Sequence, residues 1–320
     1  MSVSTTRNPV GISTNADMID GDLVRFAGQL EAVARSGADT AEIILHSLDV
    51  VVNGKLDAGI LAKVKRITSS FHLSYSIHLP FILNLLDHEC LDSYTDVFRA
   101  GLRFAGEIGA TAVVYHSSIA KFDAASLSRY YQPRYGTVDP QALSRVLFEE
   151  DAQRLSALAD EAASFGVRIG VENPNPPRDL TGLGTYGFSP PALVEHVRRI
   201  GKPNLGVTLD FGHLYLASLA IGFDYLQAVK TLAPHAVHAH VHDNFGKPDA
   251  GEPYIQRLPY GLGDLHLPPG MGLLPLDSAL PILLSAGFDG VLMLEIEFRF
   301  FPDFPSHVAD FRQRIKSYRS

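Results

Sequence analysis

The sequence predicts an α/β fold, a single (β/α)8 TIM barrel with extended loops at the C-terminal ends of its strands. Short β-rich segments alternate with longer helical segments eight times along the 320 residues. Several β-rich segments are almost continuously apolar, as expected for parallel strands that are covered on both faces. No internal repeat or composition break indicates a linker, so we expect one domain over residues 1–320.

An open, doubly wound sheet is the alternative architecture with the same alternation of strands and helices. A glycine-rich phosphate loop directly after the first strand would favour that sheet. The corresponding segment here reads "GISTNADM" and contains no GxGxxG pattern. The barrel is therefore the preferred prediction.

The first half of the chain contains four predicted strand–helix units, identified by the change from β-rich runs to apolar residues at helical spacing. Pro80 ends the third strand because proline cannot continue a ladder of hydrogen bonds. Asp139 and Pro140 suit the N-cap and first position of the fourth helix, and Gly166 suits its C-terminal end. The predicted strands are 10–14, 40–46, 73–80 and 110–118, and the predicted helices are 21–36, 56–70, 91–108 and 140–165.

The second half repeats the pattern with four further units. Ser189 followed by Pro190 predicts the start of one helix, and a long loop rich in glycine and proline runs to about residue 276. The predicted strands are 167–174, 204–213, 236–243 and 290–297, and the predicted helices are 190–200, near 223–233, 277–286 and 305–318.

Six consecutive predicted strands, the third to the eighth, carry a side chain that can bind a metal ion close to their C-terminal ends. These side chains are His78, His116, Glu172, Asp210, His240 and Glu295. In a barrel those ends meet at one rim, where catalytic groups collect. Burying ionised carboxylates without partners costs several kcal/mol each, and a shared divalent cation removes that cost. The alternative is a set of separately satisfied buried polar groups.

The segment "HAVHAHVHDN" at 235–244 places three histidines at every second position of one strand, so that they share a face. His240 lies at the depth of the other candidate ligands and is the predicted metal ligand. His238 lies deeper and is expected to be a hydrogen-bonded core histidine. His242 lies at the mouth, where it is expected to support the ligands or face a substrate.

Charge and composition limit the classes of partner. The formal net charge is −8, which disfavours a large nucleic-acid footprint. A single cysteine excludes a disulfide within the chain and fits a reducing compartment. The N-terminal "MSVSTTRNPVG" has no apolar signal region, and no apolar run approaches the roughly 18 residues of a membrane span. We therefore expect a cytoplasmic protein without a membrane partner.

Seven motifs in this order resemble the xylose isomerase-like TIM-barrel superfamily, over residues 10 to 318. They read "IHLPFILNL", "VVYHSS", "GVRIGVENP", "LGVTLDFGH", "HAHVHDN", "GDLHLPPGMG" and "GFDGVLMLEIE". This superfamily includes sugar and sugar phosphate isomerases and epimerases, and the endonuclease IV branch. The resemblance identifies a superfamily and leaves the substrate open.

The resemblance implies two alternative metal sites. In the epimerase branch, one divalent ion is held by four residues, which correspond here to Glu172, Asp210, His240 and Glu295. Three carboxylates and one imidazole suit Mn²⁺ or Zn²⁺, and also Mg²⁺ or Co²⁺. In the endonuclease IV branch, up to three Zn²⁺ ions are held by nine residues. The additional positions correspond here to His78, His116, His213, Asp264 and His266.

The expected activity is isomerisation or epimerisation of a keto-sugar, a sugar phosphate or a related polyol, by proton transfer through a metal-stabilised enediolate. Glu172 and Glu295 are the expected proton carriers. Two other strands separate the strands that carry them, so the two carboxylates can face opposite sides of a bound substrate. The expected substrate contacts are His78, His116, His213, His242 and, if the substrate carries phosphate, Arg257 and Lys247.

Three alternatives remain open at this point. They are a trinuclear-zinc phosphodiesterase, a lyase or dehydratase that acts on an oxidised sugar at the same site, and a sugar- or metal-binding barrel without turnover. The Tyr-, Pro- and Gly-rich insertions at 121–140 and 175–188 resemble lids over a small-molecule pocket more than a track for DNA. The expected partner is therefore a small carbohydrate. The resemblance also implies that copies of this chain form a homo-oligomer.

Overall fold

Eight parallel strands close into a barrel in the computed structural model, which describes residues 8–249, 251 and 253–318. Around the barrel each strand is hydrogen-bonded to its neighbours in chain order, and the first strand pairs with the last. This closed order confirms the predicted (β/α)8 barrel over the open sheet. The strands are β1 Val10–Ser13, β2 Thr40–Ile44, β3 Ser74–His78, β4 Ala112–His116, β5 Arg168–Glu172, β6 Leu205–Asp210, β7 Ala236–Val241 and β8 Leu292–Leu294.

Helices surround the barrel and bury one apolar face each against it. Within the described residues, those of eight or more residues are α1 Leu23–Arg35, α2 Ala58–Thr68, α3 Leu91–Ile108, α4 Pro140–Ser164, α5 Pro190–Ile200, α6 Phe211–Ile221, α7 Tyr225–Leu232, α8 Leu276–Ser285 and α9 Phe304–Ser317. None of these described helices is both long and apolar enough to span a bilayer.

Shorter elements lie in the connections. The short helical turns are Ala16–Ile19, Leu45–Ser47, Ala124–Ser126, Leu127–Tyr131, Gln132–Tyr135, Ala233–His235, Tyr254–Arg257, Leu258–Tyr260 and Phe298–Asp303. Two antiparallel pairs accompany them, Val51–Val52 with Lys55–Leu56 and Ala120–Lys121 with Leu183–Gly184. The second pair joins the two Tyr- and Gly-rich insertions, which therefore pack against each other beside the barrel.

The predicted helix ends are confirmed where a capping signal marks them. Helix α4 begins at Pro140, and the Asp139 side chain accepts hydrogen bonds from the backbone amides of Gln141 and Ala142. At its other end the helix stops at Ser164, and Gly166 follows in the left-handed conformation at φ 70°. Short side chains with a free oxygen cap helices because the first amides have no partner within the helix.

The prediction of one strand over 204–213 is wrong at its end. Strand β6 stops at Asp210, and helix α6 begins at the next residue, Phe211. The Asp210 carboxylate accepts a 2.6 Å hydrogen bond from the amide of His213 and so caps this helix. Helix α6 was missed because "FGHLYLASLAI" is apolar almost all round and shows no amphipathic period.

Candidate metal centre

Four buried side chains converge at the C-terminal rim of the barrel. One donor atom from each of Glu172, Asp210, His240 and Glu295 lies within 4.8 Å of the other three. The Nδ1 atom of His240 lies 2.9 Å from Glu172 Oε1, 3.3 Å from Glu295 Oε2 and 3.6 Å from Asp210 Oδ2. These four residues, predicted as ligands from the sequence, therefore form one compact group.

Strand geometry explains this convergence. Glu172 and Asp210 are the last residues of β5 and β6, and Glu295 directly follows β8. Asp210 is in register with His240 on the neighbouring strand β7. Because all the strands are parallel, their C-terminal ends meet at the same rim, and each contributes one inward-facing side chain.

A second group lies on the β3–β4 side of Glu172. The Nε2 atoms of His116 and His78 lie 3.1 Å and 3.5 Å from Glu172 Oε2. His78 Nδ1 lies 2.7 Å from the carbonyl oxygen of Leu79, to which it can donate its proton. That tautomer leaves Nε2 as a free acceptor that faces the site, a common arrangement for histidine ligands.

A third group lies on the opposite side and contains His213, His242, Asp264 and His266. Asp264 Oδ2 lies 3.0 Å from His213 Nε2 and 2.7 Å from His266 Nε2. His266 has a left-handed backbone at φ 45°, a conformation that is uncommon for residues other than glycine. Such strain is often kept at functional sites because the surrounding contacts hold it in place.

His242 connects the central and third groups. Its Nε2 lies 3.1 Å from both oxygens of Asp210, and its Nδ1 lies 3.4 Å from Asp264 Oδ1. The side chain is fully buried behind these carboxylates. Gly212 makes room for it, since a Cβ atom at that position would lie 2.0 Å from His242 Cε1.

Sequence reasoning missed Glu42, which lies in the middle of β2 and is fully buried. Its Oε1 lies 2.9 Å from His240 Nε2, and its Oε2 lies 3.0 Å from His238 Nε2. The signal was available, because "TAEIILH" holds one carboxylate inside an otherwise apolar strand. His238 is fully buried at this contact, in agreement with its predicted place in the core.

Opposite charges shift the pKa values of several of these side chains. Burial raises the pKa of Glu172, but His240 and His116 outweigh burial and hold this pKa well below its usual range. Burial lowers the pKa of His240, but Glu295, Glu42 and Glu172 raise it well above the ordinary value. In the third group, the pKa of His266 rises to about 10, because Asp264 and Glu295 outweigh its burial. These directions favour the ionised form of Glu172 and the protonated forms of His240 and His266.

The donors fit a divalent cation. Several buried polar atoms of the three groups have no aligned hydrogen-bond partner among the described residues, including Glu172 Oε2, Glu295 Oε2, Asp264 Oδ1 and His242 Nδ1. Buried polar atoms without partners are rare, and each one needs an explanation such as an ion. Carboxylate oxygens with imidazole nitrogen suit Mn²⁺, Mg²⁺, Co²⁺ and Zn²⁺.

A cavity of about 170 Å³ opens the central group to the surface, and Glu295 and His266 form part of its wall. Phe81 lies at its edge with its side chain 49% exposed, and its ring centroid lies 4.9 Å from that of His78. Glu295 therefore borders the cavity, whereas Glu172 lies deeper. The loop tyrosines 130 and 131 line a different cavity, of about 640 Å³, beside the barrel.

The two predicted phosphate-binding cations have protein partners. Arg257 lies 2.8 Å from a carboxylate oxygen of Asp249 and 3.4 Å from the carbonyl oxygen of Asp264. Lys247 donates a 2.9 Å hydrogen bond to the carbonyl oxygen of Tyr260. Asp249 therefore offsets the charge of Arg257, whereas the partner of Lys247 is a neutral carbonyl group.

The fold and the site together define a (β/α)8 barrel with a ligand-rich C-terminal rim. A family model described as xylose isomerase-like TIM barrel matches residues 30–316, and the chain belongs to that family. Among curated proteins, the uncharacterized protein MJ1311 of Methanocaldococcus jannaschii is 29% identical over 150 residues. That alignment covers 47% of this chain and 43% of the relative, so the chain matches less than half the length of this relative.

Solved structures repeat the same fold. A D-tagatose 3-epimerase-like protein is 21% identical with a TM-score of 0.70 and covers 98% of this chain and 100% of its own. An L-ribulose 3-epimerase is 13% identical with a TM-score of 0.66, with coverage of 98% and 96%. A xylose isomerase-like TIM-barrel protein from Mycobacterium smegmatis, solved in complex with magnesium, is 16% identical with a TM-score of 0.68 and 98% coverage of both chains. At these identities the likeness shows the fold.

Proposed function

We propose that this chain is a divalent-metal-dependent isomerase or epimerase of a keto-sugar or a related polyol. One observation carries the proposal, the convergence of Glu172, Asp210, His240 and Glu295 within 4.8 Å at the rim where barrel enzymes place their chemistry. Epimerases among the structural neighbours support the reaction class. The magnesium complex of another neighbour supports the use of a divalent ion.

The two glutamates are arranged to move a proton on either side of a bound substrate. Glu172 ends β5 and Glu295 follows β8, two strands that are separated by β6 and β7, and their oxygens lie 2.9 and 3.3 Å from His240 Nδ1. Glu295 borders the cavity and can accept a proton from a carbon next to a carbonyl group. For an isomerisation, Glu295 returns this proton to the neighbouring carbon. For an epimerisation, Glu172 must first take up a proton, which His116 at 3.1 Å could relay from solvent, before it protonates the opposite side, and Glu295 then releases its own proton to solvent. A bound ion would polarise the carbonyl group and make the adjacent C–H bond more acidic.

Solvent deuterium incorporation tests this proposal. The metal-loaded protein is incubated with a panel of ketoses and ketose phosphates in D2O, and exchange at carbons next to the carbonyl is followed by NMR. Exchange together with an isomeric product supports the proposal. Exchange with loss of water would indicate the lyase or dehydratase reaction. Binding without exchange would support a barrel that does not turn over its ligand and would contradict the proposed activity.

A second candidate is a three-ion phosphodiesterase, and one observation favours it. Two further groups flank the central one, His78 and His116 with Glu172 on one side, and His213, Asp264 and His266 with His242 on the other. Three adjacent ions could activate a water molecule and clamp a phosphate group. The net charge of −8 argues against a nucleic-acid substrate.

Metal counting separates the two candidates. The protein is purified from medium supplemented with zinc and manganese, and its metal content is measured by inductively coupled plasma mass spectrometry. About one ion per chain favours the isomerase or epimerase. About three ions per chain, together with hydrolysis of bis(p-nitrophenyl) phosphate, favours the phosphodiesterase.

A further inference from the structure

A buried polar layer lies beneath the metal centre, inside the barrel. At its middle is Glu42 of β2, which is in register with Ser13 of β1 and Ser76 of β3. Both serine hydroxyl groups donate to its carboxylate, Ser13 to Oε1 at 3.2 Å and Ser76 to Oε2 at 2.9 Å. All three side chains are buried, so this carboxylate is held in place from both neighbouring strands.

The remaining contacts of Glu42 point to two histidines of β7. Its Oε1 lies 2.9 Å from Nε2 of His240, and its Oε2 lies 3.0 Å from Nε2 of His238. Neither ring N–H is aligned for an ideal hydrogen bond. The carboxylate nevertheless approaches the edge of the His240 ring that faces away from the metal centre.

The two nitrogens of His240 therefore face different carboxylates. Nδ1 faces Glu172, Asp210 and Glu295, and Nε2 faces Glu42. A histidine binds a metal ion through a ring nitrogen that carries no proton. The proton of the neutral imidazole is then on the other ring nitrogen. A carboxylate behind a histidine ligand fixes this tautomer, orients the ring and raises its basicity.

We propose that Glu42 is a positioning residue for the metal centre, which keeps the proton of His240 on Nε2 and commits Nδ1 to the ion. Ser13 and Ser76 hold the carboxylate, and His238 takes up its second oxygen. The inference rests on the proposed function in one respect, that an ion lies among the four central donors. It adds a residue that acts through His240 and does not itself reach the ion.

The test uses the full-length chain and two matched variants, Glu42→Gln and Asp151→Asn. Glu42→Gln keeps the shape of the side chain and removes its charge. Asp151 is an equally buried carboxylate that lies 2.8 Å from a histidine, His196, outside the metal centre, so its variant controls for the loss of any buried carboxylate–histidine pair. Zn²⁺ and Mn²⁺ affinities are measured by competition with a chelating dye.

We expect Glu42→Gln to weaken the ion affinity about 10- to 100-fold and Asp151→Asn to leave it within about two-fold. Equal ion affinity in Glu42→Gln and the wild type would overturn the inference, and any loss of thermal stability would then show a purely structural role. If the wild type binds neither ion, the proposed function fails and this inference fails with it. The two failures are therefore distinguishable.

A second measurement does not depend on the folding of the variants. In Zn²⁺-loaded wild-type protein labelled with ¹³C and ¹⁵N, long-range correlation spectra report which nitrogen of each imidazole carries a proton, and through-bond correlations from the ring to its own backbone assign His240. We expect a protonated Nε2 and a zinc-bound Nδ1. A zinc-bound Nε2 would overturn the inference.

Discussion

Two buried carboxylates in this molecule, Asp151 and Glu172, meet histidines in very different ways. Asp151 of α4 accepts hydrogen bonds from Ser118 Oγ at 2.6 Å and from Tyr186 at 2.7 Å, and it lies 2.8 Å from His196 Nε2. Glu172 has one close contact with His240, and its Oε2 has no aligned donor, although His116 Nε2 lies 3.1 Å away.

The comparison shows that a buried carboxylate–histidine contact does not by itself indicate a metal site. Around Asp151 every oxygen has a donor, so the group closes the interior between α4, α5 and the insertion that contains Tyr186. Around Glu172, some buried carboxylate oxygens have no aligned hydrogen-bond donor, among them Glu172 Oε2 and Glu295 Oε2. A bound cation would satisfy these atoms. The presence or absence of donors to the carboxylate oxygens therefore distinguishes the group around Asp151 from the candidate metal centre.

The largest expected effect comes from a substitution of Glu172, whose Oε2 atom has no aligned donor. Glu172→Gln removes a proposed metal ligand and a proposed proton carrier together, so we expect the proposed activity to fall by about 10²–10⁴-fold, with weaker ion binding. Steady-state kinetics and dye competition measure both. Wild-type activity in this variant would show that Glu172 is as structural as Asp151.

A smaller effect is expected for a substitution of Asp151, whose two carboxylate oxygens both have donors. Asp151→Asn leaves Ser118, Tyr186 and His196 competing for one remaining acceptor, so we expect a loss of about 2–4 kcal/mol in the free energy of unfolding. Urea denaturation followed by circular dichroism measures this loss. Ion affinity should be unchanged, and weaker ion binding by the folded variant would show that the two groups are coupled.

Ion binding at the central group is expected to depend on pH. Burial lowers the pKa of His240, but Glu295, Glu42 and Glu172 raise it well above the ordinary value. An incoming ion must therefore displace a proton from His240, and ion affinity should rise about tenfold per pH unit between pH 6 and 8. Titration calorimetry in two buffers of different ionisation enthalpy would detect the released proton. A constant affinity over this range would contradict the expectation.

The smallest expected effect lies at the edge of the cavity. Phe81 is half exposed beside His78 and His116, where it can cover an apolar face of a substrate. Phe81→Ala should cost about 1 kcal/mol of apolar contact and raise KM about five-fold, with kcat nearly unchanged. A matching fall in kcat with constant KM would instead place Phe81 in the reaction step.

The sequence predicts the polar side chains at the rim of the barrel better than those buried below the rim or under the helices. His78, His116, Glu172 and Asp210 were found because each ends a strand, and parallel strands bring their ends together. Glu42 was missed because it lies two residues before the end of β2, below the rim. Asp151 was missed because a carboxylate in the polar run "FEEDAQR" looks exposed until the rotation of the helix is known.

The two carboxylate oxygens of Asp210 have different roles, one at the start of helix α6 and one in the central group. One oxygen caps the amide of His213 at the start of α6, and the other faces the central group at 3.6 Å from His240 Nδ1. Loading the centre with an ion would therefore tighten the first turn of α6 as well. Amide hydrogen exchange in that turn would then serve as a gauge of ion occupancy in the absence of any substrate.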